Sequence, residues 1–254
     1  MTTSNDNAHQ RRILILGGTG EARELAAALV VDGHAVISSL AGRTQAPTLP
    51  PGEIRIGGFG GPRGLAAYLD EQAIDLLVDA THPFAASMSA NAATAASSAN
   101  VPLVRLERPA WSRPQGAIWL EVPDMEAAAD VLPEDSRVLL TVGRQDLDPF
   151  RKRADCTFFA RMIEIPADLP PEWTIIAHRG PFTLAQEKAV LTANAITHLV
   201  SKNSGGLQVA AKLAAAAQLN VPVIMIARPA LPEAETVQTV AQAREAIGQL
   251  FRTG

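Results

Sequence analysis

One stretch decides the fold of this 254-residue chain: Arg12-Ile13-Leu14-Ile15-Leu16-Gly17-Gly18-Thr19-Gly20-Glu21-Ala22-Arg23. An apolar run that favours a β-strand leads directly into a glycine-containing turn and then into a helix-forming stretch. Glycine lets the backbone approach a phosphate, and the free N–H groups and dipole of a helix N-terminus favour its negative charge. Gly18 and Gly20 match the pattern G-x-G-x-x-G, whereas Arg23 occupies the place of its third glycine. The stretch therefore predicts a strand–turn–helix unit that binds a pyrophosphate, with a plain strand–helix turn as the alternative.

Strand-like and helix-like stretches alternate along the rest of the chain. Short runs rich in Leu, Ile and Val are separated by Ala-rich stretches, which is the pattern of a parallel sheet with helices on both faces. The sequence therefore predicts an α/β fold. Strands are predicted at Arg12–Leu16, Ala35–Ser39, Glu53–Gly57, Leu76–Asp79, Leu103–Leu106, Val138–Thr141, Thr174–Ala177, Thr197–Val200 and Val223–Ile226. Helices are predicted to begin near Glu21, Pro62, Phe84, Asp124, Phe182, Leu207 and Thr239.

The two halves of the chain share a repeated segment. Asn100–Pro109 reappears, with aliphatic exchanges, as Asn220–Pro229, 120 residues further on. A general likeness among strand–helix–strand units is the alternative explanation. The repeat favours two Rossmann-like domains with doubly wound parallel sheets, which we place at residues 1–112 and 113–254. Open α/β sheets bind ligands at the carboxyl ends of their strands, so we expect the ligands in an interdomain cleft.

Composition and charge exclude several classes of protein. With 47% hydrophobic and 19% charged residues the chain can bury a core, which argues against a disordered or fibrous protein. Aromatic residues make up 4% and the net charge is −4, so a nucleic acid is not expected as a partner. The single cysteine, Cys156, favours a reducing compartment, and no apolar stretch reaches the ~20 residues of a membrane span. We therefore expect a cytoplasmic protein without a membrane partner, either a monomer or a small homo-oligomer.

The ends of the following strands indicate which nucleotide the first turn accommodates. An acidic residue at the end of the second strand would bind a free ribose 2′-hydroxyl and repel a 2′-phosphate. That position carries Ser38 and Ser39, and Arg43 follows as a cation suited to a phosphate. NADP(H) is therefore favoured over NAD(H), with a solvated loop arginine as the alternative interpretation of Arg43. The predicted cofactor-binding residues are Gly17, Gly18, Thr19, Gly20, Glu21, Ala22, Ser38, Ser39, Arg43, Gly57, Gly58 and Thr81.

A polar segment, Asp79–Phe84, ends the fourth strand and opens the next helix. Thr81 and His82 are expected to project toward a bound nicotinamide. His82 is the candidate catalytic acid, because histidine can donate a proton near neutral pH. A structural hydrogen bond at the start of the helix is the alternative role of His82.

The second half contains turns whose composition suits an anion. The turn Ser201–Gly206 combines hydroxyls, an amide, a cation and two glycines, and it occupies the place in the repeat that Thr81 has in the first half. Several cations at the ends of strands in one cleft favour a ligand with many carboxylates. The predicted substrate-binding residues are Arg144, Arg179, Ser201, Lys202, Asn203, Ser204 and Gly205.

The sequence lacks the motifs of several other enzyme classes. It contains no G-x-x-x-x-G-K-[ST] loop, no H-E-x-x-H, no G-x-S-x-G and no cluster of Cys and His. Kinase, metallohydrolase and serine-esterase activities are therefore not expected, and no metal site is predicted.

As an ordered set, the motifs resemble the precorrin-6A reductase family of cobalamin biosynthesis, from about Arg12 to Phe251. The segments that carry this resemblance are residues 17–23, 79–84, 105–111, 141–144, 179–182 and 201–206. The resemblance implies an NADPH-dependent reduction of one carbon–carbon double bond in a corrin precursor macrocycle, from precorrin-6A to precorrin-6B. It also implies two Rossmann-like domains with the tetrapyrrole between them, whose acetate and propionate groups would meet the cationic turns.

Three alternatives remain open at the level of the sequence. The macrocycle can carry cobalt, because reductases of both routes look alike at these motifs. The chain can instead be an NADP-dependent reductase or epimerase of another small anionic metabolite. It can also be a redox sensor or carrier that binds its ligands without turnover. The sequence also leaves open which group supplies the proton that accompanies a hydride: His82, another cleft residue or water.

Overall fold

The computed structural model describes residues 10–42, 49–162, 168–177, 180–206 and 209–253. In chain order the elements are β1 (Arg12–Leu16), α1 (Gly20–Val31), β2 (Ala35–Leu40), β3 (Glu53–Ile56), α2 (Pro62–Glu71), β4 (Leu76–Asp79), α3 (Ala86–Ala99), β5 (Leu103–Leu106), β6 (Trp119–Val122), α4 (Met125–Asp130), β7 (Arg137–Leu140), a 3₁₀ turn (Arg144–Asp146), α5 (Asp148–Arg151), β8 (Thr157–Met162), β9 (Thr174–Ala177), α6 (Leu184–Ala193), β10 (His198–Lys202), α7 (Ala211–Gln218), β11 (Val223–Ile226), β12 (Glu235–Val237) and α8 (Val240–Thr253). In this described part, no helix is long and apolar enough to cross a membrane.

The chain folds into two compact units, each built around a six-stranded parallel sheet. One unit comprises Met1–Arg108 and Ala230–Gly254, and the other comprises Pro109–Pro229. Their strand orders are β12-β5-β4-β1-β2-β3 and β6-β11-β10-β7-β8-β9, which we call sheet 1 and sheet 2. The predicted α/β class with two Rossmann-like parallel sheets is confirmed. The predicted division at residues 112 and 113 differs from these units in two respects, because residues 109–112 belong to the second unit and residues 230–254 return to the first.

The two sheets exchange their sixth strands. In sheet 1 the strands β1 to β5 are completed by β12, which follows β11 in the chain. In sheet 2 the strands β7 to β11 are completed by β6, which follows β5. Each of the two crossings between the units comes directly at an Arg-Pro pair, Arg108-Pro109 or Arg228-Pro229, where the sequence repeat ends. The repeat therefore predicts two sheets correctly but not the destination of their last strands.

The returning segment is held firmly on the first unit. Strand β12 pairs in parallel with β5, and the N–H of Glu107 donates to the carbonyl of Val237 at 2.9 Å. Arg105 Nη1 donates to the carbonyl of Pro232 at 2.7 Å. Helix α8 packs against α1 and buries Ala243 and Ile247 in the same apolar core as β1 and β4. Burial of these side chains explains why the last residues stay with sheet 1.

Candidate functional site

The glycine-rich turn after β1 is built around Thr19. Its hydroxyl accepts a hydrogen bond from the N–H of Ala22 at 3.0 Å and so caps α1. The same hydroxyl donates to the carbonyl of Ala80, which follows β4, at 2.9 Å. Gly18 has a φ of +113°, and a Cβ there would meet no atom within 4 Å. The turn is thus fixed by a threonine and leaves open space beside its glycine.

Backbone hydrogen bonds join the ends of neighbouring strands at this edge of sheet 1. The N–H of Gly17 donates to the carbonyl of Ser39 at 2.9 Å, and that of Gly57 donates to Leu40 at 2.9 Å. The N–H of Ala80 donates to the carbonyl of Leu16 at 3.0 Å. The side chains that line one pocket here are Thr19, Glu21, Thr81, Pro83, Leu106 and Arg108. Most of the predicted cofactor-binding residues therefore lie together at the carboxyl ends of β1, β2, β3 and β4.

A buried ion pair supports the turn after β4. Arg105 Nε donates to Asp79 Oδ2 at 3.1 Å, and both side chains are at least nine-tenths buried. The other carboxylate oxygen, Asp79 Oδ1, accepts a hydrogen bond from Thr81 Oγ1 at 2.7 Å. Arg105 in turn holds the returning segment at Pro232. The pair thus connects the orientation of Thr81 to the attachment of β12.

His82 lies exposed just beyond this pair. Its Nδ1 accepts a hydrogen bond from the N–H of Phe84 at 3.3 Å, and the two rings lie 5.9 Å apart. A neutral ring that accepts through Nδ1 carries its proton on Nε2. The structural role at the start of the helix is therefore present, and the exposed ring is also placed where a ligand at this edge can reach it.

Arg55 is a residue of this edge that the sequence did not single out. It lies on β3 in register with Ser39, and its Nη1 is 3.4 Å from Ser39 Oγ. Its guanidinium donates to the carbonyls of Gly57 at 2.5 Å and Gly58 at 2.7 Å and stacks on Phe59, 3.7 Å from the ring centroid. Among the described residues no carboxylate pairs with Arg55.

The other residues predicted at the end of β2 are placed differently. Ser38 and Ser39 are buried, and Ser38 Oγ has no hydrogen-bond partner in the described part of the chain. Arg43 lies outside the described residues.

Glu21, in the first turn of α1, is paired with Arg108 at 2.8 Å. This ion pair offsets the negative charge that Glu21 would otherwise present to a phosphate at the helix N-terminus.

In the second unit, the turn Ser201–Gly206 binds the chain segment that enters the unit. The Asn203 side chain accepts from the N–H of Trp111 at 2.8 Å and donates to its carbonyl at 3.2 Å. The Trp111 indole donates to the carbonyl of Gly206 at 2.8 Å. Gly205 has a φ of +67°, and a Cβ there would collide with the carbonyl oxygen of Pro109. These contacts explain the amide and the glycines of the turn by packing.

The remaining predicted substrate residues have varied surroundings. The Ser201 side chain is fully buried and Ser204 is nearly so. Lys202 Nζ forms an ion pair of 2.6 Å with Asp146 Oδ2. Arg144 is exposed on the 3₁₀ turn that follows β7, and Arg179 lies outside the described residues. Lys202 and Arg144 are thus the described cations of the predicted set at the strand ends of sheet 2.

Two further buried cations at this edge were not predicted. Arg161 on β8 binds Glu187 on α6 through two hydrogen bonds of 2.7 Å. Lys212 on α7 donates to Thr141 Oγ1 at 2.9 Å and lies 5.5 Å from the centre of the Trp111 ring. Burial lowers the pKa of Lys212 to about 8; the nearby Arg161 acts in the same direction and Glu187 opposes it.

The strand order of the sheets, the glycine-rich turn after β1 and the capped helix α1 are the features of a Rossmann-like α/β protein of the dinucleotide-binding class. The family model of the precorrin-6x reductases CbiJ/CobK matches residues 12–248, and the chain belongs to this family.

Known relatives are similar over nearly their whole length. The precorrin-6A reductase of Rhodococcus erythropolis is 51% identical over 95% of this chain and 99% of its own. The cobalt-precorrin-6A reductase of Priestia megaterium is 31% identical over 85% of this chain and 90% of its own. A solved structure described as CobK precorrin-6A reductase is 40% identical, with a TM-score of 0.89, and covers 94% of this chain and 97% of its own.

Proposed function

We propose that this protein is a precorrin-6A reductase, which uses NADPH to reduce one carbon–carbon double bond of precorrin-6A and so forms precorrin-6B. The observation that carries the proposal is the 51% identity to a precorrin-6A reductase over 95% of the chain. Identity to a cobalt-precorrin-6A reductase is lower, at 31%, which favours the metal-free macrocycle. We place the reaction in the cytoplasm, because a chain with one cysteine gains no intramolecular disulfide from an oxidising compartment.

The edge of sheet 1 fits a dinucleotide. The open space beside Gly18 and the capped N-terminus of α1 suit a pyrophosphate, and Arg108 offsets the charge of Glu21. Thr81, oriented by Asp79, lies in the same pocket. When bound, NADPH supplies the hydride, and these residues hold and orient it.

The residues at the ends of β2 and β3 support a preference for NADPH over NADH. The end of β2 carries Ser39 and no carboxylate that would repel a 2′-phosphate. The charge of Arg55, which no carboxylate among the described residues neutralises, lies beside Ser39 and supports the binding of a 2′-phosphate there. Arg43 is a second candidate for the same role on the sequence alone.

The reduction adds a hydride to one carbon of the double bond and a proton to its neighbour, leaving NADP⁺. We propose His82 as the proton donor, supported by its exposed ring at the end of β4. We propose Arg144 and Lys202 as ligands of the substrate carboxylates, because both are cations at the strand ends of sheet 2. The turn that carries Lys202 would be shaped by its neighbours Ser201, Asn203, Ser204 and Gly205.

Anaerobic NADPH oxidation tests the proposed function. Purified protein is mixed with NADPH or NADH, with and without precorrin-6A, and nucleotide absorbance is followed. Macrocycle-dependent oxidation of NADPH, much faster than that of NADH, is the expected result. Oxidation with cobalt-precorrin-6A alone would move the substrate to the cobalt form, and no oxidation with either macrocycle would overturn the proposal.

The role of His82 is tested with the His82→Gln variant. If the imidazole donates the proton, turnover falls at least tenfold, equal to about 1.4 kcal/mol of activation free energy. The affinity for NADPH, measured by calorimetry, is expected to stay unchanged. Turnover equal to that of the wild type would leave water or another residue as the donor.

A further inference from the structure

One face of sheet 2 changes from apolar to polar at its carboxyl edge. Alternate residues of an extended chain share a face, so Arg161 lies on the same face as Phe159, and Thr141, one residue beyond β7, lies on the same face as Leu139. Leu139 and Phe159 are paired partners in the apolar core, and the N–H of Thr141 donates to the carbonyl of Val200 at 3.0 Å. Thr141 and Arg161 are therefore neighbours on this face, between the apolar core and the carboxyl edge of the sheet.

The helices that cover this face add two charged side chains to the row. Glu187 of α6 is 1% exposed, and both of its oxygens are engaged by Arg161. Lys212 of α7 is 6% exposed, and the hydrogen-bond acceptor it has among the described residues is the neutral hydroxyl of Thr141. A lysine in the first turn of a helix also opposes the helix dipole. The Lys212 ammonium is thus destabilised by its burial and by the dipole of α7.

The described side chains of this cluster carry one excess positive charge. Arg161 and Lys212 are cations, and Glu187 is the carboxylate that faces them from the packed elements the structure describes. Arg161 Nε is buried and has no hydrogen-bond partner among the described residues, although its side chain is 8% exposed. Buried charge without a counter-charge is costly, and buried donors are normally satisfied. An anion at the partly exposed side of Thr141 would supply both the charge and the acceptors.

We propose that Lys212, Arg161 and Thr141 form a buried cationic subsite that binds one carboxylate of the substrate. The proposal rests on the proposed function, since a corrin precursor carries acetate and propionate groups. A single carboxylate matches the single excess charge, whereas a phosphate dianion would exceed it. Strand β7 is also followed by a short 3₁₀ turn in place of a long helix, so the described residues after this strand do not form the phosphate-binding arrangement of sheet 1.

The test is the binding of precorrin-6A, without nucleotide and without oxygen, to the wild type and to Lys212→Met. Loss of a charge-assisted contact is expected to raise the dissociation constant of the macrocycle about tenfold or more. The dissociation constant of NADPH is expected to change less than about twofold, because the nucleotide lies at sheet 1. Lys188→Met is the matched control, since Lys188 of α6 donates to Gln218 at the surface.

Two measurements separate ligand binding from a purely structural role. A bound carboxylate raises the pKa of Lys212, so the wild type takes up protons when it binds precorrin-6A near pH 8.5, and Lys212→Met does not. This uptake is measured by calorimetry in buffers of different ionisation enthalpy. The melting temperature of ligand-free Lys212→Met is expected to equal or exceed that of the wild type, because a strained charge is removed.

The outcomes distinguish this subsite from the proposed function. Equal macrocycle affinity in Lys212→Met, or no proton uptake by the wild type, would overturn the subsite. A lower melting temperature together with loss of both ligands would also overturn it in favour of a structural role. If the wild type bound NADPH and neither precorrin-6A nor its cobalt form, the proposed function would fall and the subsite with it.

Discussion

The two sheets have the same strand order but different carboxyl edges. In the first unit β1 leads into α1, a 12-residue helix whose N-terminus is capped by Thr19. In the second unit the corresponding strand, β7, leads into a 3₁₀ turn and the four-residue helix α5. The turn after β1 therefore presents backbone N–H groups and a helix dipole to a ligand. The described residues that follow β7 in sheet 2 do not.

Sheet 2 presents charged side chains instead. Its edge carries the pairs Arg161–Glu187 and Lys202–Asp146 together with Lys212. Backbone dipoles suit the pyrophosphate of a dinucleotide, whereas separate cations suit carboxylates spaced around a macrocycle. One topology, used twice in this chain, therefore presents two chemically different carboxyl edges, one with backbone donors and one with cationic side chains.

The largest expected effects come from breaking the buried ion pair of each unit. Removing one partner of such a pair costs about 3–5 kcal/mol of unfolding free energy. After Asp79→Asn, Arg105 keeps its hydrogen bond to the carbonyl of Pro232. After Glu187→Gln, Arg161 and Lys212 lose the carboxylate that faces both. Urea unfolding at pH 7 is therefore expected to show the greater loss for Glu187→Gln.

Asp146→Asn is the control for these two variants. Its ion pair with Lys202 is partly exposed, so the expected loss is at most about 1 kcal/mol. A greater loss in Asp79→Asn than in Glu187→Gln would contradict an excess of positive charge in the cluster of Arg161, Lys212 and Glu187.

The next effect is a pH dependence that belongs to the second unit. The pKa of Lys212 is about 8 in the folded protein and about 10.5 in the unfolded chain. Between these values the unfolded chain binds more protons, so the free energy of unfolding rises with pH and gains about 3 kcal/mol. Below pH 8 the lysine is charged in both states and its full penalty remains. Urea unfolding from pH 7 to 10.5 measures this rise.

Lys212→Met isolates that contribution, because the other titrating groups are common to both proteins. The difference in unfolding free energy between variant and wild type is expected to shrink as the pH rises above 8. Lys188→Met, with its lysine at the surface, should follow the wild type. A constant difference across the range would show that Lys212 is not strained in the folded protein.

The sequence predicted the regular parts of this fold well. Strands β1, β4, β5, β9 and β11 have the predicted bounds, because short apolar runs are separated by clear turn or helix signals. Strand β8 was not predicted, since the short α5 before it gives no helical pattern to separate it from β7. Edge strands β6 and β12 were also missed. They have mixed, half-exposed residues, and long-range pairing decides which sheet they join.

The candidate site was predictable where local pattern determines it. The turn at Gly17–Gly20 and the segment around Thr81 were found because glycine, capping residues and strand ends are adjacent in the sequence. Arg55 and Lys212 were not singled out, because each is placed by partners that are not adjacent to it in the sequence. Lys212 stands in an Ala-rich helix, where a lysine is ordinarily solvent-facing. Contacts of this kind leave no local pattern in the chain.

A smaller effect, on nucleotide affinity, is expected from replacing Arg55 in the first unit. Arg55→Gln removes a charge beside Ser39 but leaves the turn at Gly17–Gly20 intact. If Arg55 binds a 2′-phosphate, the variant loses about 1.5–3 kcal/mol of affinity for 2′-phospho-ADP-ribose, or about 10- to 150-fold. Its affinity for ADP-ribose should change little. Calorimetry with both nucleotides measures the change in preference.

Arg63→Gln provides the comparison for Arg55, because Arg63 is exposed on α2 near the same loop. It is expected to keep the wild-type preference. Equal losses of both nucleotides in Arg55→Gln would mean that Arg55 only supports the loop through Gly57 and Gly58.

The smallest effects compare a helix cap in each unit. Thr19 and Thr183 cap α1 and α6, and replacing an N-cap threonine by alanine costs about 1 kcal/mol. Thr183 is exposed, so Thr183→Ala should lose about that amount. Thr19 is buried and also bonds the carbonyl of Ala80, so Thr19→Ala should lose about 2 kcal/mol and weaken nucleotide binding as well. Urea unfolding and NADPH calorimetry on both variants measure this, and an equal loss of NADPH affinity in the two would contradict a nucleotide site confined to sheet 1.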